Sequence, residues 1–278
     1  MEPGSAASVY EHVTVPALGL GVVALILVVL LPTFAILGFW SGRSNREKRI
    51  AEGKEVDLRA GEASLGAIVG LLGLLLAFSF GGALSLLESR KTDVIIEANA
   101  LGTAFLRTDF LPEPEASELR EAIHAYTLTR IVPRGDGIGT SDDVQAFIQR
   151  SLDAQSRLWP LTVAATDAPL QPALATFFAS SMNDVLDAHA LRMRSLSAPV
   201  AELSQTIVVI AALAALFILG NRSGIAGRQL TWRTFVFSAL LFAVMLTVLD
   251  VQRATQGLIR VDQSALQAAL LDMETRLR

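Results

Sequence analysis

The sequence predicts an all-α membrane protein with four transmembrane helices and a helical extramembrane domain between the second and the third. The chain of 278 residues is 52% hydrophobic and only 18% charged, with a mean hydropathy of +0.48. Ordinary soluble domains rarely combine these values. Four uncharged stretches approach or exceed the length of a bilayer crossing. The remaining polar segments show helical periodicity and no sustained alternation, which argues against a sheet.

These stretches divide the chain into five predicted parts. The first span covers residues 18–39 and contains Pro32. Trp40 follows it directly, and its indole is suited to the membrane interface. The third and fourth spans cover about 203–219 and 234–249. The parts are 1–63 (N-terminal segment, first span and basic connector), 64–87 (second span), 88–202 (helical extramembrane domain), 203–251 (third and fourth spans) and 252–278 (C-terminal tail).

The second span carries a stripe of small residues along one face. Residues 64–87 have no charge and reach roughly 36 Å as a helix, and they continue without a proline into a charged helical segment. Such a stripe either packs closely against another helix or lines a pore. Leu84 on this stripe, or Phe80 at its edge, would then close the pore as an apolar constriction. The small residues fall within about 80° of arc and are Gly66, Gly70, Gly73, Ala77 and Gly81.

Polar residues continue the same line beyond the predicted membrane edge. Glu88, Lys91 and Asn99 would form a pore mouth, or else they are ordinary interfacial residues. Late in the chain, Asp250 and Arg253 are spaced i, i+3 at a helix end. This spacing predicts a structural ion pair, with a solvated helix terminus as the alternative.

The predicted extramembrane domain contains three helical segments. One covers residues 115–132, and a second begins at Ser141 as N-cap and continues to Trp159–Pro160. A third begins near Gln171 and carries apolar residues at helical spacing. The GDGIG segment at 135–139 is predicted to be a plain turn.

No pattern for catalysis, metal binding or a cofactor is present. The chain has no cysteine, and His12, His124 and His189 lack ligand spacing. No nucleophile or phosphate-binding motif occurs, so we expect no enzyme and no cofactor. The net charge of −4, without a basic run, argues against nucleic-acid binding. The spans have no ionisable residue in the middle, which argues against a proton-driven transporter.

The distribution of basic residues predicts the orientation. The connectors 41–63 and 220–233 contain nine Lys or Arg residues. The positive-inside rule therefore predicts these connectors in the cytoplasm, and both termini and residues 88–202 outside it.

Three segments carry a resemblance to a known family. The segments GAIVGLLGLLLAFSFGG, SRKTDVIIEANALGTAFLR and LDVQRATQGLIRV resemble the bestrophin-like domain family of bacterial membrane proteins of unknown function. Glu97, Ala98, Asn99 and Ala100 match its E-A-N-A motif, whereas Gln252 and Ala254 stand where the family often has Asp and Pro. The resemblance implies a location in the bacterial inner membrane. It also implies a distant similarity to bestrophins, oligomeric anion channels lined by their second helix, whose helical bulk is cytosolic.

Two functional hypotheses follow. The first is a homo-oligomeric ion channel of four or five subunits, lined by the second helix; its partners are the bilayer, inorganic ions and copies of itself. The second is a non-conducting sensor or scaffold whose helical domain binds a partner. Glu88 and the excess of 16 acidic over 10 basic residues in 88–203 favour cations, whereas the family resemblance favours anions.

Overall fold

The computed structural model describes residues 18–55, 62–132, 140–167, 169–197, 202–253 and 258–278, and these segments are helical with no β-strand among them. A short 3-10 turn, Thr108–Phe110, follows the second helix. The first histidine, the predicted GDGIG turn and residues 254–257 of the last family segment lie outside the described residues. The helices are α1 (Leu20–Ala51), α2 (Glu62–Arg107), α3 (Glu115–Arg130), α4 (Ser141–Gln155), α5 (Leu158–Asp167), α6 (Pro172–Ser197), α7 (Glu202–Ile225), α8 (Trp232–Gln252) and α9 (Ser264–Leu277).

Four of these helices, α1, α2, α7 and α8, are long and apolar enough to cross a membrane. They are compatible with a multi-pass membrane protein. The 46 residues of α2 form one uninterrupted helix, which corresponds to roughly 69 Å. Because the hydrocarbon core is about 30 Å thick, around half of α2 extends beyond any bilayer that it crosses.

Glycines hold α1 and α7 in direct backbone contact. A Cβ atom added at Gly38 would lie 2.0 Å from the carbonyl oxygen of Phe217, and one at Gly42 would lie 2.0 Å from that of Asn221. The reverse contacts come from Gly220 against Ala35 and from Gly224 against Phe39. Both helices thus use a G-x-x-x-G pattern, which permits close approach of helices in membranes.

The register of these contacts shows that α1 and α7 run parallel, because the paired residue numbers rise together along both helices. Leu87 on α2 and Val251 on α8 share a small buried cluster near the same end of the apolar helices. At that end, Nη2 of Arg253 also donates to the carbonyl oxygen of Leu18 at 2.9 Å. The C-terminal ends of α1 and α7 therefore lie on the same side of the protein, opposite the end at which α8 finishes and α2 continues.

Helices α3, α6 and α9 pack against the outer half of α2, and α5 packs against α3 and α6. Leu101 and Phe105 of α2 contribute to their common apolar core. Residues 252–278 are predicted from the sequence to be a C-terminal tail. In the structure, helix α9 of this segment buries Leu266 and Met273 in the same core. The fully buried core residues also include Leu119, Ile123, Tyr126, Leu158, Phe178, Met182 and Val185.

Two predicted helix boundaries in this domain are wrong. The N-cap of α4 is Thr140 rather than Ser141, because Oγ1 of Thr140 accepts from the backbone N–H of Asp143 at 3.2 Å in a capping box. The predicted second helix also ends early, at Gln155, and α5 begins at Leu158. Trp159–Pro160 therefore lies in the first turn of α5, where proline is tolerated because its missing N–H needs no partner.

Candidate functional site

The small-residue stripe of α2 lies on the outside of the protomer. We call Gly66, Gly70, Gly73, Ala77, Gly81 and Leu84 the α2 line. A Cβ atom added at any of its four glycines would meet nothing within 4 Å. Ala77 is also exposed, and Leu84 and Phe80 are 44% and 37% exposed. No described helix of the same chain covers this face.

The α2 line differs from the face that packs inside the protomer. Leu72, Ala83 and Leu87 are buried against other helices of the chain, and they lie roughly 80–140° around the helix from the centre of the α2 line. The glycines that hold helices of this protomer together are instead those of α1 and α7. Sequence reasoning missed this second glycine pattern, although GFWSG at 38–42 and GNRSG at 220–224 carry the signal.

Beyond the apolar part of α2, the same face remains exposed. Glu88 and Lys91 form an i, i+3 ion pair with a nitrogen–oxygen distance of 3.7 Å. Ile95 is half exposed, and Asn99 is exposed one turn later. One open face of α2 therefore carries, in order along the helix, small residues, a charged pair, an apolar residue and an amide.

Asp250 and Arg253 each bind backbone groups, and their opposite charges also attract each other. The carboxylate of buried Asp250 accepts the backbone N–H groups of Leu258 and Ile259 at 2.7 and 2.9 Å. Arg253 donates to the backbone carbonyl oxygen of Leu18, just before α1, as described above. The carboxylate of Asp250 thus holds the segment before α9, and Arg253 holds the residue just before α1. The ion pair between the two side chains stays a prediction.

The most polar buried feature is a cluster that we call the Glu97 cluster. It joins Glu97 of α2 to Tyr126 and Arg130 of α3 and to His189 and Arg192 of α6. The carboxylate of Glu97 is fully buried and accepts from Nε of Arg130 at 2.6 Å and from Nη1 of Arg192 at 2.5 Å. One carboxylate thereby holds two guanidinium groups from two helices. Such a group is stable in an apolar core only when it is paired.

Tyr126 and His189 complete this cluster. The Tyr126 hydroxyl lies 2.8 Å from Nδ1 of His189 and 3.4 Å from Oε1 of Glu97. Burial, followed by the positive charge of Arg130, lowers the pKa of His189 to about 4. Burial also raises the pKa of Tyr126. Both groups are therefore neutral at neutral pH, and Nε2 of His189 has no hydrogen-bond partner among the described residues.

The sequence analysis names Glu97 only as part of the E-A-N-A resemblance, gives it no role, and does not identify its partners. Tyr126 and Arg130 lie on the buried face of α3 that also carries Ile123. A basic residue at an apolar position of a helical pattern was the available signal. Because 33 and 95 residues separate Glu97 from Arg130 and Arg192, local spacing does not connect them.

A further buried arginine fixes α2 where its apolar part ends. Nη1 of Arg90 donates to the carbonyl oxygen of Gln252 at 3.0 Å, and its Nε donates to that of Ser195 at 3.3 Å. Arg90 thus ties α2 to the ends of α8 and α6. Together with Glu97, two turns further on, it couples the outer half of α2 to the surrounding helices.

The described residues contain no group of three or more side chains that could hold a metal ion. Comparison with known proteins gives no assignment: no family model matches the chain, and no curated protein matches it. The functional argument therefore rests on the open face of α2 and on the buried contacts that position this helix.

Proposed function

We propose that the chain is the subunit of a homo-oligomeric ion channel in which α2 of each copy lines the pore. The observation that carries the proposal is the α2 line. Its small residues lie on an apolar helix long enough to cross a bilayer, and they are open on the outer side. The charged and amide residues that follow lie on the same face.

The glycine content of the α2 line argues that something other than lipid faces it. Each glycine inside a helix costs about 0.5–1 kcal/mol relative to alanine. A glycine gives no advantage on a helix face that contacts lipid tails. On a face that packs against another helix or lines a water-filled path, it allows close approach or leaves room. The four glycines of the line are unused inside the protomer, so their benefit arises in an assembly.

A second copy of the same chain is the partner that fits this face. In a ring of identical subunits, every copy turns the same face of α2 toward the axis. Covering Ile95 would remove a half-exposed apolar side chain from water. Asn99, one turn beyond, would hydrogen-bond between copies and fix their register, as a polar residue does in a coiled coil.

The chemistry of the face is consistent with gated conduction. A ring of Leu84 side chains would form an apolar constriction that closes by dewetting. Glu88, one turn beyond, would place carboxylates at the mouth, and its ion pair with Lys91 leaves the Glu88 side chain largely exposed. The acidic excess of residues 88–203 favours cations, and the family resemblance favours anions, so the reversal potential in a salt gradient decides the sign.

Reconstitution into planar bilayers tests the proposal. We expect purified protein to conduct and Leu84→Ala to increase the open probability, because a smaller side chain widens and wets the constriction. Leu71→Ala is the matched control, since Leu71 is an exposed leucine of α2 that lies about 140° around the helix from Leu84. The proposal fails if no salt or pH gives a current and if Leu84→Ala changes nothing.

The same experiment separates the channel from a non-conducting sensor or scaffold. In that alternative, the helical domain binds a partner and the α2 line packs tightly against another helix. A silent bilayer together with a monomer or dimer lacking an axial cavity would favour it.

A further inference from the structure

A group of cations lies where α1 and α7 end and α8 begins. The parallel packing of α1 and α7 places the last turn of α7 beside Phe39 and Arg43, so α1 continues about two turns beyond the end of α7, and only a short turn separates α7 from α8. The segment 220–233 contains three arginines and no acidic residue. We call the group the basic collar, and its members are Arg46, Lys48, Arg49, Arg228 and Arg233.

The collar cations have no carboxylate partner among the described residues. Neighbouring basic residues do: Arg43 pairs with Glu47 at 3.0 Å and Lys54 with Glu52 at 2.7 Å. Arg46 is nevertheless positioned, because its guanidinium lies over Gly227, where an added Cβ would be 2.6 Å from Cζ. Gly227 has φ +69°, a conformation that glycine adopts readily and that leaves room for this guanidinium.

Two tryptophans mark the depth of the collar. Trp40 on α1 and Trp232 at the start of α8 are 62% and 70% exposed. Exposed indoles at the ends of apolar helices sit at the level of lipid headgroups. Trp232 is the first residue of α8, and Trp40 closes the apolar part of α1 six residues before Arg46. At about 1.5 Å per residue, the collar cations of α1 therefore lie roughly 9–14 Å beyond Trp40, on the headgroup side of the indoles.

We propose that the basic collar binds the headgroup phosphates of anionic phospholipids, with Arg46 and Arg228 as the principal contacts. The planar guanidinium fork matches the oxygens of a phosphodiester, and clusters of four to eight basic residues at a membrane edge attract anionic lipid. This inference requires that the four helices cross a bilayer, but it is independent of whether α2 conducts ions.

Quenching of tryptophan fluorescence by brominated lipids tests the proposal in the full-length protein. The chain has three tryptophans, and two of them flank the collar, so bromine on the acyl chains of a bound lipid reports contact there. We expect dibromo-phosphatidylglycerol to quench more than dibromo-phosphatidylcholine at equal mole fraction. The double variant Arg46→Gln/Arg228→Gln should weaken this preference by about fivefold for each removed cation.

The matched control is Arg150→Gln/Arg276→Gln, which removes the same charge from exposed positions on α4 and α9. If the first variant does not fold, Lys48→Gln/Arg49→Gln on the exposed end of α1 replaces it. Equal quenching by the two lipids, or an equal loss in the control, would overturn the proposal. Inorganic phosphate should leave the quenching unchanged, and displacement of the lipid signal by phosphate alone would identify a free anion site instead.

Discussion

Replacing Glu97 by glutamine removes the negative charge from between two buried arginines while keeping the shape of the side chain. The Arg130 and Arg192 side chains are 0% and 5% exposed, so water does not replace the lost carboxylate. Removing one partner of a buried ion pair costs about 3–5 kcal/mol. Folded proteins are stable by only about 5–15 kcal/mol, and Glu97→Gln should therefore be severely destabilising.

Thermal unfolding followed by circular dichroism in detergent measures this effect. A loss of 1 kcal/mol lowers the melting temperature by about 2–4 °C in a domain of 150–250 residues, so we expect a decrease of roughly 6–20 °C. Asp272→Asn is the control, because Asp272 forms an exposed ion pair with Arg276 at 3.2 Å on α9 and such pairs contribute little.

A second variant shows whether the effect comes from the loss of the carboxylate between the two arginines. Adding Arg192→Met to Glu97→Gln removes one of the two guanidinium groups that Glu97 binds, so part of the lost stability should return. The account of the Glu97 cluster is refuted if Glu97→Gln melts within the range of Asp272→Asn, or if the double variant loses the sum of the two single effects.

Three further outcomes are expected. The pKa of His189 is about 4 in the folded chain and about 6.5 in the unfolded chain, so the stability of the fold should decrease as the pH falls from 6.5 toward 4. The expected loss of unfolding free energy is about 2 kcal/mol at pH 5 relative to pH 7.5. The slope should be smaller in His189→Gln, which keeps Tyr126, Glu97 and the two arginines. Gly38→Ala should reduce thermal stability, because its Cβ would meet the backbone of α7, whereas Gly21→Ala, with nothing within 4 Å, should not. Asp250→Asn should speed hydrogen exchange at the amides of Leu258 and Ile259 by about tenfold, since a charged acceptor is lost.

The local pattern of the sequence was sufficient for the helices themselves. The continuous α2 follows from an apolar run without proline that leads into a helical polar segment. The boundaries were less predictable, since Thr140 and Ser141 are both competent N-caps and only the contact with Asp143 distinguishes them. In the same way, Trp159–Pro160 marks a helix start as readily as a helix end.

Long-range partners could not be predicted from a single sequence. The α2 stripe was visible as a helical spacing of glycines, but spacing does not tell whether such a face packs within the chain. The structure leaves this face open and uses Gly38, Gly42, Gly220 and Gly224 for internal packing. Likewise, the charge of Glu97 required a buried counter-charge, but nothing local in the sequence identifies Arg130 and Arg192 as its source.

Single-particle imaging of the detergent-solubilised protein tests the central claim most directly, because it gives mass, symmetry and the position of α2 together. The account predicts a ring of four or five copies with α2 nearest the axis and Gly66 to Gly81 facing it. A monomer, or a dimer in which the α2 lines pack tightly without an axial cavity, would contradict the channel.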